Sequence, residues 1–132
     1  MNPTFADLVA SRRQWIDSVL KPWCVAAPLI QLRLAEMEWS DIAGRVDPAA
    51  SLWAWAWSRF PSLVHDGLPG VNETYEVRVT LRDGSSLEGY PDNRRTVGGR
   101  LALLCRSDDD PGRFVEAEPV SIDEIAYVDR LD

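Results

Sequence analysis

Few side chains in this chain have the types and spacing that chemistry needs. One group follows a glycine at position 89. It comprises Tyr90, able to stack on a base, Asn93, able to read a base edge, and the adjacent Arg94 and Arg95, able to contact phosphate. The loop that holds them, Pro91 to Gly99, is polar enough to be explained by solvation alone, so both readings stand. A second group is Trp53, Trp55 and Trp57. Tryptophans so closely spaced have to be covered, either as core within this chain or as a surface for a partner.

Enzymatic chemistry has no visible constellation. His65 is the only histidine and lies in a loop rich in Pro, Gly and Asp. No nucleophile-elbow sequence accompanies it. Cys24 and Cys105 are far apart and form no metal-spaced or redox pair, which suits buried apolar fillers better than a disulfide. Asp108, Asp109 and Asp110 lack the alternating ligands and distal Glu of an EF-hand loop. Gly98-Gly99 and the stretch from Gly67 to Gly70 lack the Lys of a phosphate-binding loop. Asp123 and Glu124 are adjacent and so point apart. No catalytic residue, cofactor or metal is expected, and the chain is expected not to be an enzyme.

The totals narrow the partners. The chain has 132 residues, a net charge of -7 and no basic half. Coating DNA or RNA draws on counterion release at a positive surface, so the balance points away from DNA and disfavours RNA. No apolar run reaches bilayer length, and residues 1–15 lack a signal peptide's apolar core. No membrane role and a cytoplasmic location are expected.

The elements come next. Asn2-Pro3 is a cap-then-proline helix start. Phe5, Leu8, Val9, Trp15, Ile16, Val19 and Leu20 recur at helical spacing, predicting a helix to about Leu20 that Pro22 ends or bends. Residues 23–27 then form an apolar connector. Pro28 opens a second helix carrying Leu29, Ile30, Leu32, Leu34, Met37 and Trp39, with Glu36 and Glu38 facing water. Ser40-Asp41 caps a further turn that Gly44 stops. Asp47-Pro48 starts a third helix ending at Pro61, on which Trp53, Ala56, Trp57 and Phe60 share a face. Pro61 to Thr74 reads as a linking loop.

From Tyr75 the period changes to two. Val77, Val79 and Leu81 alternate with Arg78, Thr80 and Arg82. Asp83-Gly84 supplies a turn, Leu87 resumes the apolar face, and Gly89 marks a hard bend or a close backbone. Further strands are expected over residues 100–106, 114–120 and 126–131, with one tight helical turn at 122–125.

The run from Val77 to Gly89 resembles the first motif of Sm and Sm-like proteins, in which alternating apolar residues lead to Leu-x-Asp/Asn-Gly and a later glycine. The resemblance covers some fifteen residues. It implies a five-stranded, strongly bent small barrel of SH3-like type, commonly assembled into rings that bind RNA. Asp92 and Asn93 follow the second strand more closely than the family's base-contacting pair does. The family's closing Arg-Gly is absent from Val120 to Val128.

The expectation is therefore an α+β chain, with a helical region and linker over residues 1–73 packed on a small barrel over residues 74–132. The favoured function is a non-enzymatic interaction module that self-associates or binds a protein partner. Single-stranded RNA binding is the alternative, and neutralising a basic partner, as an immunity protein does, a further one.

Overall fold

The computed structural model describes residues 4–44, 46–65, 68–110 and 112–131, and of Phe5 the backbone only. The chain is α+β: a helical first half packs on an antiparallel five-stranded sheet in the second.

Helix α1 (Phe5–Trp15) opens with a reciprocal capping box. Thr4 Oγ1 accepts from Asp7 N at 3.1 Å, and Asp7 Oδ2 accepts from Thr4 N at 3.1 Å. The expected cap at Asn2-Pro3 lies outside the described residues. The helix does not stop near Leu20. It widens into a π-helical stretch, Ile16–Leu20, and runs on as α2 (Lys21–Ala26). Residues 23–26 are thus helical rather than a connector. Pro22 therefore stands inside a continuous helix, and the wider π turn directly ahead of it is where its missing N–H and its ring are accommodated.

Helix α3 (Leu29–Met37) starts at Pro28 as expected. A short α4 (Trp39–Ala43) follows, stopped by Gly44 at φ 81°. Its first turn is not capped by Ser40-Asp41; Glu38 holds the cap position without a side-chain bond. Asp47 accepts from Ala49 N at 3.0 Å and opens a 3-10 turn, Pro48–Ala50, before α5 (Leu52–Trp57).

The stretch from Pro61 to Thr74 is not all loop. After a 3-10 turn at Pro61–Leu63 it forms a two-stranded hairpin, β1 (Val64–His65) with β2 (Leu68–Val71). Pro69 sits in β2, which pairs on one side only, where its missing donor leaves no gap in a ladder.

The sheet begins with β3 (Val77–Leu81) and β4 (Ser86–Pro91), paired from Val77↔Gly89 to Thr80↔Ser86. Gly84 takes φ 92°, and Asp83 Oδ1 accepts from Ser85 N at 2.8 Å. Val77 and Val79 are buried while Arg78 faces water and pairs with Glu88 across the strands. The next two expected strands each break in two. Residues 100–106 give β5 (Arg100–Leu101) and β6 (Leu103–Arg106). Residues 114–121 give β7 (Phe114–Glu116) and β8 (Val120–Ser121). The inner pieces pair as β5 with β8 and the outer as β6 with β7, so the two strands turn together through a corner. A 3-10 turn, Ile122–Glu124, leads to β9 (Ile125–Arg130), which returns beside β3. The resulting order is β7-β6-β4-β3-β9.

One continuous core joins the halves. It includes Leu32, Trp39, Leu52, Trp53 and Trp57 from the helices with Val77, Val79, Leu101, Leu103, Ile122 and Ile125 from the strands. Each large side chain taken out of water there contributes about 1.5–3 kcal/mol before conformational entropy is set against it.

Candidate interaction surfaces

The loop face beyond β4 holds the four residues expected to meet a nucleic acid, but it does not present them together. Tyr90 is half-buried, its ring edge-on to Phe114 at 5.9 Å. Asn93 turns its amide inward: Oδ1 accepts from Val71 N at 3.1 Å, tying the loop to β2. Its own N–H donates to Glu73 at 3.1 Å. Arg95 is an internal strut. It lies 3.2 Å from both Asp92 and Glu116 and reaches the carbonyls of Leu103 and Ala117. A guanidinium spent on two carboxylates and two carbonyls is not presented to phosphate. Arg94 is the exposed cation of the pair.

Of the three tryptophans, Trp53 and Trp57 are core and Trp55 is half-buried. The core reading therefore holds for two of them. The Trp53 indole N–H donates to Glu36. The face opposite it is set by the Gly98-Gly99 turn, with both glycines at positive φ (61° and 80°). A Cβ on Gly99 would collide with Leu29 and with the Trp53 ring, so this turn lets the sheet and helices approach. Trp55 meets Trp39 edge-on at 6.2 Å, under Lys21, whose ammonium lies 5.5 Å from the Trp55 ring centre.

Two further contacts fix the halves to each other and within themselves. Asp123, in the 3-10 turn before β9, accepts from Leu29 N at 2.8 Å and so caps α3 from the sheet. Arg59, half-buried, donates to the carbonyls of Cys24 (2.9 Å), Ala27 (2.8 Å) and Ala56 (2.9 Å), closing the ends of α2 and α5 at once. Burial pulls the Arg59 pKa below its ordinary value. Burial also pushes the Cys24 thiol up to about 11, against a smaller opposing effect of Arg59. Cys24 and Cys105 are free thiols.

The surface that the sequence did not single out is helical. Helix α3 buries Leu32 and Ala35 on one side, yet Ile30, Leu34 and Met37 stand on the other, 66%, 53% and 82% exposed. A helix apolar on opposite sides belongs between two neighbours, and here only one is present. Along α1, the π stretch and α2, Leu8, Trp15, Val19 and Trp23 are exposed as well. No described side chain of α1 is buried. Arg12 lies over Trp15 at 5.4 Å and ties α1 to the body through the carbonyl of Ile42 at 2.7 Å. Six of these seven recur at helical spacing in the sequence, and Trp23 falls in the stretch expected to be a connector. Periodicity marks apolar positions without saying which of them the chain itself covers.

Among the described residues no group of His, Cys, Asp and Glu is arranged to hold a metal ion, and no helix is long and apolar enough to cross a membrane. His65 sits in β1, half-buried. Fold and surface together define an α+β chain whose most unusual feature is uncovered apolar helix. No family model, no curated protein and no solved structure matches the chain.

Proposed function

We propose that this chain is a non-enzymatic interaction module that works by covering its apolar α1–α3 surface with a protein, either another copy of itself or a separate partner. The observation that carries this is the stripe of Ile30, Leu34 and Met37, set opposite the buried side of the same helix. From their exposures, this stripe and the one running from Leu8 to Trp23 each offer on the order of 400 Å² of apolar surface, the size of the largest patch a monomer usually leaves open, and such patches are often functional. The small-barrel reading of the second half draws support from the strand order, the cornered strands and the 3-10 turn before the last strand.

The test is sedimentation or light scattering of the intact chain over a wide concentration range, beside capture of partners from a lysate. Leu34→Glu and Trp15→Glu should each weaken association, or abolish capture, at least tenfold while leaving the melting temperature nearly unchanged. A monomer at every concentration, with nothing captured that Leu34→Glu releases, rules the reading out.

Binding of single-stranded RNA is the second reading. It rests on the exposed Arg94 and the half-buried Tyr90 ring, since Arg95 and Asn93 are engaged within the chain. Titration with U-rich and A-rich oligonucleotides should show saturable binding that Arg94→Ala weakens. Failure at about 50 mM salt, where electrostatic attraction is strong, ends it.

A further inference from the structure

A groove of about 520 Å³ runs along the seam between the halves, lined by none of the exposed apolar residues of α1 to α3 and by neither Tyr90 nor Arg94. Its floor is Trp53 and Trp57, and its sides include Pro69 of β2 and the turn from Val97 to Gly99. That volume falls within the range of small-molecule pockets, and the mixture of aromatic floor and few polar groups is typical of them.

Its charge is one-sided. Glu36 and Asp47 line it, and no Lys, Arg or His does among the described residues, in a chain with fourteen Lys and Arg. Glu36 is already held in place by the Trp53 indole, and Asp47 by the Ala49 N–H. Each bond occupies one oxygen of a carboxylate with several acceptor positions, so both remain able to accept from a cation. Val97, 68% exposed at the mouth, supplies an apolar contact that the fold itself leaves unused.

We propose that this groove binds an alkylammonium group: a charged amine held by Glu36 and Asp47, with its hydrocarbon stem laid over Trp53, Trp57 and Val97. The amine is carried by a lysine side chain of another protein or by a free organic base. The complementarity of charge selects this class over a carboxylate or phosphate, which two carboxylates would repel.

The experiment is an NMR titration of the full chain, following the Trp53 indole N–H and the Gly98 and Gly99 amides. The probes are hexylammonium, hexanol and hexanoate, matched in stem and different in charge. Hexylammonium should saturate with a dissociation constant on the order of 1 mM, as suits a ligand of this size. Hexanoate should leave those signals in place. Glu36→Gln, which keeps an acceptor for the indole, and Asp47→Asn, which keeps the turn, should each weaken it roughly fivefold to tenfold. A capped lysine tripeptide is the second arm. Binding of both probes assigns the site to a partner's side chain, and binding of hexylammonium alone assigns it to a free amine; either upholds the site. Equal binding of hexanol and hexylammonium, binding untouched in the double variant, or shifts confined to other residues would overturn it. These outcomes do not depend on whether the α1–α3 surface associates, because the groove is read by its own signals.

Discussion

Arg59 shows how much one side chain holds. Three carbonyls at the ends of two helices share its guanidinium, and removing it leaves them to find water in a crevice. Arg59→Met should cost about 2–3 kcal/mol of stability in urea unfolding, the range for several hydrogen bonds to a charged donor lost together. Arg59→Lys should recover little, because a single ammonium cannot reproduce the planar fork. Its neighbour Cys24 makes a different prediction. The thiol is buried and its pKa raised to about 11, above the 9.0 of an unhindered thiol. The unfolded chain loses this proton first as pH rises. The stabilising contribution is therefore fully present below about pH 9 and lost progressively between about pH 9 and 11. Cys24→Ala should flatten that part of the stability curve, measured by thermal melts across pH. In the native protein Cys24 should react with a disulfide reagent far more slowly than half-buried Cys105, whose own thiol burial also raises.

At the level of elements, glycines mark where backbones come close. A Cβ at Gly89 would stand 2.5 Å from the carbonyl oxygen of Leu104 on the neighbouring strand. Gly89→Ala should destabilise by roughly 2 kcal/mol or more and broaden the amide signals of β4 and β6. This position was legible beforehand, as were the β3–β4 hairpin, the turn before β9 and the α+β division. Each rests on a local rule: period two, Asp-Gly at a turn, a glycine interrupting alternation. Other elements were not legible. Proline preferences gave no hint that a π stretch would carry the helix past Pro22. The β1–β2 hairpin is too short, and too rich in Pro and Gly, to show alternation. Arg95 read as a solvent-facing loop cation because its acceptors, Glu116, Leu103 and Ala117, are remote in sequence. The corner that brings them together is a property of the folded sheet. Trp53 and Trp57 draw notice by density and are buried, while the exposed tryptophans are Trp15 and Trp23, which lie apart from that cluster in sequence.

For the whole molecule the question is whether the halves are separable. The core is continuous across them, Asp123 caps α3 from the sheet, and Trp53 packs on the Gly98-Gly99 turn. A chain of residues 74–132 alone would expose the side of Leu101, Leu103, Ile122 and Ile125 that the helices help to bury. It should show no cooperative melting transition and weak near-ultraviolet circular dichroism, whereas the intact chain should melt in one step. A fragment that folds cooperatively would show instead that the helices are an addition to a self-sufficient sheet.

Helix α1 stands apart from that unity. Because its described side chains are exposed or half-exposed, the native core hardly registers what they are. Substitutions along its outer edge are thus a means of silencing what the molecule meets while sparing what it is. Such variants should accumulate in cells to wild-type levels, and a phenotype they produce would report lost company rather than lost shape.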